Sequence, residues 1–183
     1  GIPQECPVKA CGRYYPERVD DVAWENDLTA FRAYGPALQE TGERAFGYDI
    51  WTKYNTTEPV VEARYEGELN PDMKTKIAEL GKMDPKAAQE LYRSVSYHVD
   101  HGNGLDCYKV GPTLGGGTTA LMAGDTIVYP YCYATQEILD NGPLRFTVKL
   151  VYNPLVVKGD STIIETRIIT LDAGSYCNKT VVS

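Results

Sequence analysis

The sequence is poor in several residue types and patterns that assign proteins to familiar classes. Only two of its 183 residues are histidine, and only three are phenylalanine against 14 tyrosine. Its net charge of −7 argues against a nucleic-acid partner, because such a partner favours a basic face. No apolar run is long enough to span a membrane. The chain starts at Gly1 with neither a methionine nor a signal peptide, which we interpret as processing or trimming.

Motifs for structural zinc and for phosphate binding are also missing. No two of the five cysteines form a Cys-x-x-Cys pair, which disfavours a zinc knuckle. A Cys6–Cys11 disulfide would fit an exported protein, but we favour the alternative that the cysteines are small buried hydrophobes. The glycine triplet at 115–117 lacks the Gly-Lys-Ser/Thr ending of a phosphate loop.

The alternation of apolar and polar residues predicts a mainly β fold, a single antiparallel β-sandwich domain over residues 1–183. Residues 144–152 alternate as a half-buried strand does, and residues 161–171 form a second predicted strand. Residues 22–34 are predicted to form one strand. Because polar groups occupy both of its faces, this strand is expected to line a groove.

Residues 70–96 interrupt the β pattern and predict a short helical insertion. Asn70-Pro71 can cap and start a first helix, which is predicted to end at Gly81. Asp84-Pro85 repeats the start signal for a second helix. Two short helices therefore lead into the loop that follows.

The loop after these helices contains both histidines of the chain. His98 and His101 lie close together, with Tyr97 before them, Asp100 between them and Asp106 after them. Two imidazoles and a carboxylate could bind a divalent metal or act as acid and base. Alternatively, the two histidines serve only to form hydrogen bonds with the backbone of the loop. We favour acid/base chemistry or sugar contact over metal binding.

A second polar segment, residues 17–27, is rich in carboxylates. Such a cluster could hold calcium or sugar hydroxyls, while Arg18 or Arg32 neutralises a uronate. Trp24 could stack on a sugar ring, although most aromatic residues are expected in the core. A charge-paired, solvated turn explains the same segment equally well.

Each candidate reaction requires its own set of groups. A lyase requires a cation, a base and an acid, roles that the arginines, the histidines and a tyrosine could fill. A hydrolase requires two carboxylates at a fixed separation, and the candidates are Asp21, Glu25, Asp100 and Asp106. A mutarotase-like site would use one histidine and one acid. A non-catalytic carbohydrate-binding module would instead rely on tyrosine and tryptophan rings.

Three stretches, residues 13–27, 31–38 and 97–111, give the chain a resemblance to a known family. The first contains the motif Tyr-Pro-Glu-Arg-Val-Asp-Asp and the last reads Tyr-His-Val-Asp-His-Gly-Asn-Gly. They resemble an uncharacterised family of exported bacterial proteins, a domain of unknown function encoded beside polysaccharide-degrading enzymes. The resemblance implies a β-supersandwich like that of galactose mutarotases. Members are about twice as long, so this chain resembles the middle portion of such a protein.

From the residues and the resemblance together we expect a carbohydrate-active protein of the periplasm or cell exterior. We expect it to act on glycans that contain uronate or rhamnose and to cleave them as a lyase or a hydrolase does. The alternative is a non-catalytic carbohydrate-binding β-sandwich module. Its partners would be this glycan and the remaining domains of the parent chain. No cofactor is assigned, with calcium or another divalent ion as the alternative. The candidate catalytic residues are Tyr97, His98, Asp100 and His101. The candidate substrate-binding residues are Arg18, Trp24, Glu25, Asp27, Arg32, Asp106 and Lys109.

Overall fold

A computed structural model describes residues 6–54 and 58–183 and confirms the mainly β fold. Two antiparallel sheets face each other. The first has the order β1 (Ala10–Tyr15), β2 (Asp21–Asn26), β3 (Thr29–Ala33), β4 (Tyr48–Thr52) and β5 (Leu105–Asp106). The second has the order β13 (Lys179–Val182), β12 (Thr166–Asp172), β9 (Arg145–Tyr152) and β8 (Tyr133–Asn141). Two small hairpins complete the strands: β6 (Leu121–Ala123) with β7 (Thr126–Val128), and β10 (Leu155–Val157) with β11 (Asp160–Ile163).

The core between the two sheets is built around Trp24. Its ring stacks between Phe31 and Phe146, with centroid distances of 5.9 and 6.2 Å. Its indole Nε1–H donates to Asn178 at 2.9 Å. Gly12 lies against this stack, and a Cβ there would come within 2.7 Å of both Trp24 and Phe146. The close approach of the two sheets at this point therefore requires a glycine.

The predicted strand 22–34 is instead a β2–β3 hairpin. The side-chain oxygen of Asn26 accepts hydrogen bonds from the amides of Leu28 and Thr29 at 2.9 and 3.0 Å, which closes the turn. Every residue of β2 and β3 is buried, because one face packs on the second sheet and the other under helices. The hairpin carries polar groups although both of its faces are covered, because one face holds a buried cluster of polar side chains.

The helical insertion is longer than predicted. Besides α1 (Pro36–Glu40), it comprises α2 (Val61–Leu69), α3 (Pro71–Met83) and α4 (Pro85–Val95). Asn70 caps α3 by accepting from Met73 at 3.0 Å, as its position predicted. The predicted end at Gly81 is wrong, since α3 continues to Met83. The helix α2 was missed because no side chain caps it and its sequence is mostly polar.

Two further predictions of detail differ from the structure. The predicted strand 161–171 is broken into β11 and β12 at residues 164–165. There the buried Glu165 accepts a hydrogen bond from the buried Arg167, which also donates to Tyr48 and Tyr152 at 3.1 and 3.2 Å. All five cysteines are free thiols, so there is no Cys6–Cys11 disulfide. The helices of the described ranges are too short or too polar to cross a bilayer.

Candidate functional site

The candidate site lies on the outer face of the first sheet, and Arg32 of β3 forms its floor. The Arg32 side chain is 3% exposed, and its Nη2 donates to Asp49 of β4 and, at 2.9 Å, to Asp106 of β5. Its Nε lies 3.8 Å from Asp21 of β2. Strand pairing causes this arrangement, because Arg32 is the direct cross-strand partner of Asp49. Strands β2, β4 and β5 therefore each bring one carboxylate to the guanidinium of β3.

A second guanidinium only partly balances these charges. Arg18 lies 3.8 Å from Asp21 and donates to the Tyr97 hydroxyl at 3.2 Å. Burial raises the pKa of Asp21 to about 7 and that of Asp106 to about 6, although the neighbouring arginines oppose the rise. Three carboxylates against two guanidiniums leave one excess negative charge. A proton on Asp21 removes this excess charge up to near-neutral pH.

His98 carries the imidazole that lines the cleft, and it reaches solvent. Its side chain is 51% exposed, and its Nδ1 lies 3.3 Å from the main-chain oxygen of Asp106 and 3.5 Å from the carboxylate Oδ2. Both neighbours are acceptors, so the ring hydrogen belongs on Nδ1. Nε2 of the neutral ring then carries the free lone pair. Asp106 is thereby the residue that sets the tautomer of His98.

Aromatic rings form the wall behind His98. The Tyr97 ring lies 4.6 Å from His98 and stacks on Trp51 at 5.2 Å. Tyr65 of α2 packs edge-on against both Tyr97 and Trp51. The Arg32 guanidinium lies within 5.2 and 5.4 Å of the Trp51 and Tyr97 rings, so cation–π attraction adds to its ion pairs. These contacts fix Tyr97 rigidly beside the histidine.

The cleft above this floor has a volume of about 250 Å³. The residues that line it are Arg18, Arg32, Tyr34, Glu43, Tyr97, His98, Asp106, Tyr108 and Lys109. The hydroxyls of Tyr34 and Tyr108 are already used, since they donate to Asp49 at 2.6 Å and to the Tyr48 carbonyl at 2.7 Å. Lys109 is exposed and has no ion pair with any described residue. It is therefore available to an anionic ligand.

Six of the eleven residues proposed from sequence line this cleft. They are Arg18, Arg32, Tyr97, His98, Asp106 and Lys109. His101 and Asp100 have structural partners outside it. The His101 Nε2 lies 2.9 Å from the Ser96 carbonyl, and Asp100 accepts from Tyr54 at 2.6 Å and from the Gly102 amide at 2.8 Å. Their contacts hold the loop in shape.

The remaining three residues are also away from the cleft. Trp24 is fully buried between the sheets and offers no surface to a sugar. Glu25 accepts from the amides of Val60 and Val61 and from Lys53, so it anchors the start of α2. Asp27 accepts from the Gly174 amide at 2.7 Å. Of the carboxylate-rich segment 17–27, therefore, only Arg18 lines the cleft, and Asp21 lies in its floor, 3.8 Å from Arg32.

Sequence reasoning missed several members of the site. Asp49, Tyr34 and Tyr65 were not proposed as site residues, and Asp21 was considered as a hydrolase carboxylate and as a member of the carboxylate-rich segment 17–27. Asp49 becomes a neighbour of Arg32 only through the β3–β4 register, which local patterns do not reveal. Among the described residues, no group of three or more histidine, cysteine, aspartate or glutamate side chains is placed to hold a metal ion. Arg32 occupies the space between the three carboxylates.

Comparison with known proteins places the chain in a family. A family model described as "Domain of unknown function (DUF4861)" matches residues 3–183. The chain belongs to this family. The curated protein "Uncharacterized protein P7" of Formosa agariphila is 28% identical over 182 residues, a match that covers 96% of this chain and 40% of the relative. The chain therefore spans less than half of that relative's length. No solved structure matches the chain.

These findings confirm the expected membership of a family of unknown function. They do not bear on a supersandwich related to mutarotases or on neighbouring polysaccharide enzymes.

Proposed function

We propose that this chain is part of a carbohydrate-active protein that cleaves uronate-containing glycans by β-elimination. The observation that carries the proposal is the meeting of a cation, an imidazole and a tyrosine hydroxyl in one cleft. Arg18, Tyr97 and His98 all line it, and Arg18 bonds directly to the Tyr97 hydroxyl. On the family resemblance we propose a location in the periplasm or outside the cell, with other domains of the parent chain as partners.

The cations of the cleft would neutralise the uronate carboxylate. Lys109 is exposed and Arg18 is one-fifth exposed, so both can approach a bound anion. Neutralising the carboxylate acidifies the neighbouring C5–H, because the negative charge that develops on removal of this proton spreads into the carboxylate. Arg32 is too deeply buried for this role and instead organises the floor.

His98 would act as the base and Tyr97 as the acid. The lone pair on the Nε2 of His98 takes the C5 proton while the C4–O bond breaks and a C4–C5 double bond forms. The leaving oxygen takes the proton of the Tyr97 hydroxyl. Proton return from His98 to Tyr97 restores the site, so the net reaction moves one proton from C5 to the leaving oxygen. Asp106 stabilises the transient imidazolium from 3.5 Å.

The geometry supports the alternatives less well. A hydrolase needs two available carboxylates, and the cleft offers Asp106 and Glu43. The Asp106 carboxylate is bonded to Arg32 and lies 3.5 Å from His98, so it is not free to flank a glycosidic bond. A binding module needs open ring faces, whereas the rings of Trp51 and Tyr97 stack on each other and pack against Tyr65.

The chain offers a matched pair of histidines for the test. The full-length parent and this chain would be incubated with uronate-containing glycans, following absorbance of the unsaturated product and reducing ends together. We expect His98→Ala to abolish both signals and His101→Ala to keep most of the activity, provided that both variants stay folded by circular dichroism. Reducing ends without absorbance would establish a hydrolase. Binding without either signal would establish a module.

A further inference from the structure

A second cavity is lined, like the cleft, by a residue of the 3-10 turn Pro16–Arg18. This groove has a volume of about 650 Å³. Its lining includes Arg13, Glu17, Glu62, Glu66, Leu69 and Pro71. Glu17 lines the groove while its neighbour Arg18 lines the cleft. One turn of chain therefore separates the two cavities, which is close enough for neighbouring rings of one glycan.

One wall of the groove is a fixed array of donors and acceptors. The Arg13 guanidinium lies 3.7 Å over the ring of Tyr15. It donates to both carboxylate oxygens of Glu62 at 2.8 Å and to Glu17 at 2.6 Å. Stacking and bidentate bonding hold these side chains in place before any ligand arrives. These side chains are therefore already ordered in the free protein and lose little conformational entropy when a ligand binds.

The charge of the groove selects against anions. Glu17, Glu62 and Glu66 face a single guanidinium, that of Arg13, so the groove has an excess of negative charge. Glu66 is exposed and accepts no hydrogen bond within the described residues, which leaves its carboxylate available to hydroxyl groups. A uronate ring would be repelled here, in contrast to the cleft with its free lysine.

Part of the lining of the groove is apolar. Leu69 is half-buried against the Tyr65 cluster, and Pro71 begins the next helix beside it. A neutral sugar ring has an apolar C–H face and an edge of hydroxyl donors. The groove presents a matching pair of surfaces, one apolar and one rich in fixed acceptors.

We propose that this groove is a second subsite, which binds a neutral sugar ring of the glycan whose uronate ring occupies the cleft. The inference rests on the proposed function and adds the substrate class: a glycan in which a neutral sugar is linked to the uronate. The groove selects the neutral ring, and the cleft selects the uronate.

Calorimetric titration of this chain with two tetrasaccharides tests the subsite. One alternates glucuronate with neutral rings, and the other consists of uronate rings only. All variants carry His98→Gln, so that no glycan is cleaved during the titration. The groove variant is Glu66→Lys, and its matched control is Glu79→Lys, a charge reversal at an exposed position of α3 that has no ion pair in the described chain.

We expect the alternating tetrasaccharide to bind about tenfold more tightly than the all-uronate one, a difference of about 1.4 kcal/mol. Glu66→Lys should remove or reverse this preference, and Glu79→Lys should keep it. Equal affinities in the unaltered groove, or a preference that survives Glu66→Lys, would overturn the subsite while leaving the cleft's uronate binding intact. Failure of both tetrasaccharides and of methyl glucuronide to bind would overturn the proposed function as well.

Discussion

The buried carboxylate cluster predicts that the protein loses stability as the pH rises through neutrality. Asp21 is the member with the largest rise in pKa, from an ordinary value of 3.8 to about 7, because burial penalises its charged form. A raised pKa means that the folded protein retains a proton that the unfolded chain has released. Stability contributed by this proton is present below pH 4 and is lost as the pH rises towards 7.

The structure sets the size of the effect. Each pKa unit is worth 1.36 kcal/mol, so a rise of about three units corresponds to roughly 4 kcal/mol in total. Of this, roughly 3 kcal/mol should be lost between pH 5 and pH 8. Asp21→Asn leaves two carboxylates facing Arg32 and Arg18, so the cluster becomes neutral without a proton. The part of the pH dependence that comes from Asp21 should then disappear, leaving the smaller part from Asp106, whose pKa is raised by burial to about 6.

Urea denaturation at intervals from pH 5 to pH 8 measures this directly. The lower limit avoids the titration of Glu17 and Glu62, whose pKa values are lowered by hydrogen bonds from Arg13. Asp125→Asn is the control, since Asp125 is exposed in the β6–β7 turn and should follow the unaltered protein. Stability that rises with pH, or an Asp21→Asn variant with the same slope as the unaltered protein, would refute the reasoning.

Three further changes test other parts of the structure. Arg32→Met should destabilise the protein by about 3–5 kcal/mol in chemical denaturation, because it leaves buried carboxylates without a cation; a loss below about 1 kcal/mol would contradict the proposed ion-pair network. Gly12→Ala should lower the free energy of unfolding by about 1–3 kcal/mol, because the added Cβ overpacks the core. Gly67→Ala should raise it by up to about 1 kcal/mol, because Gly67 lies in a helix and the nearest atom to an added Cβ is 3.5 Å away. Equal effects of the two substitutions would disprove the steric account. Asp106→Asn should lower kcat for uronate glycans more than it raises KM, because the transient imidazolium of His98 loses the negative charge that stabilises it. An effect on KM alone would argue against this electrostatic role.

Local sequence patterns predicted the parts of the fold that depend on neighbouring residues. Alternation identified β9, and capping residues identified the starts of α3 and α4, because these signals act within a few residues. The same reasoning joined β2 and β3 into one strand. The Asn26 turn that separates them has no glycine or proline to mark it.

The candidate site shows the same division between local and long-range information. The sequence by itself drew attention to the histidine loop and to Arg18 and Arg32, because histidine is rare here and isolated cations are conspicuous. Only the tertiary structure selected His98 over His101, since the difference lies in which acceptors surround each ring. Likewise only strand register brought Asp21, Asp49 and Asp106 to Arg32 from positions up to 85 residues apart. Residue types determined which chemistry was available, and the pairing of β2 to β5 decided which of those residues meet.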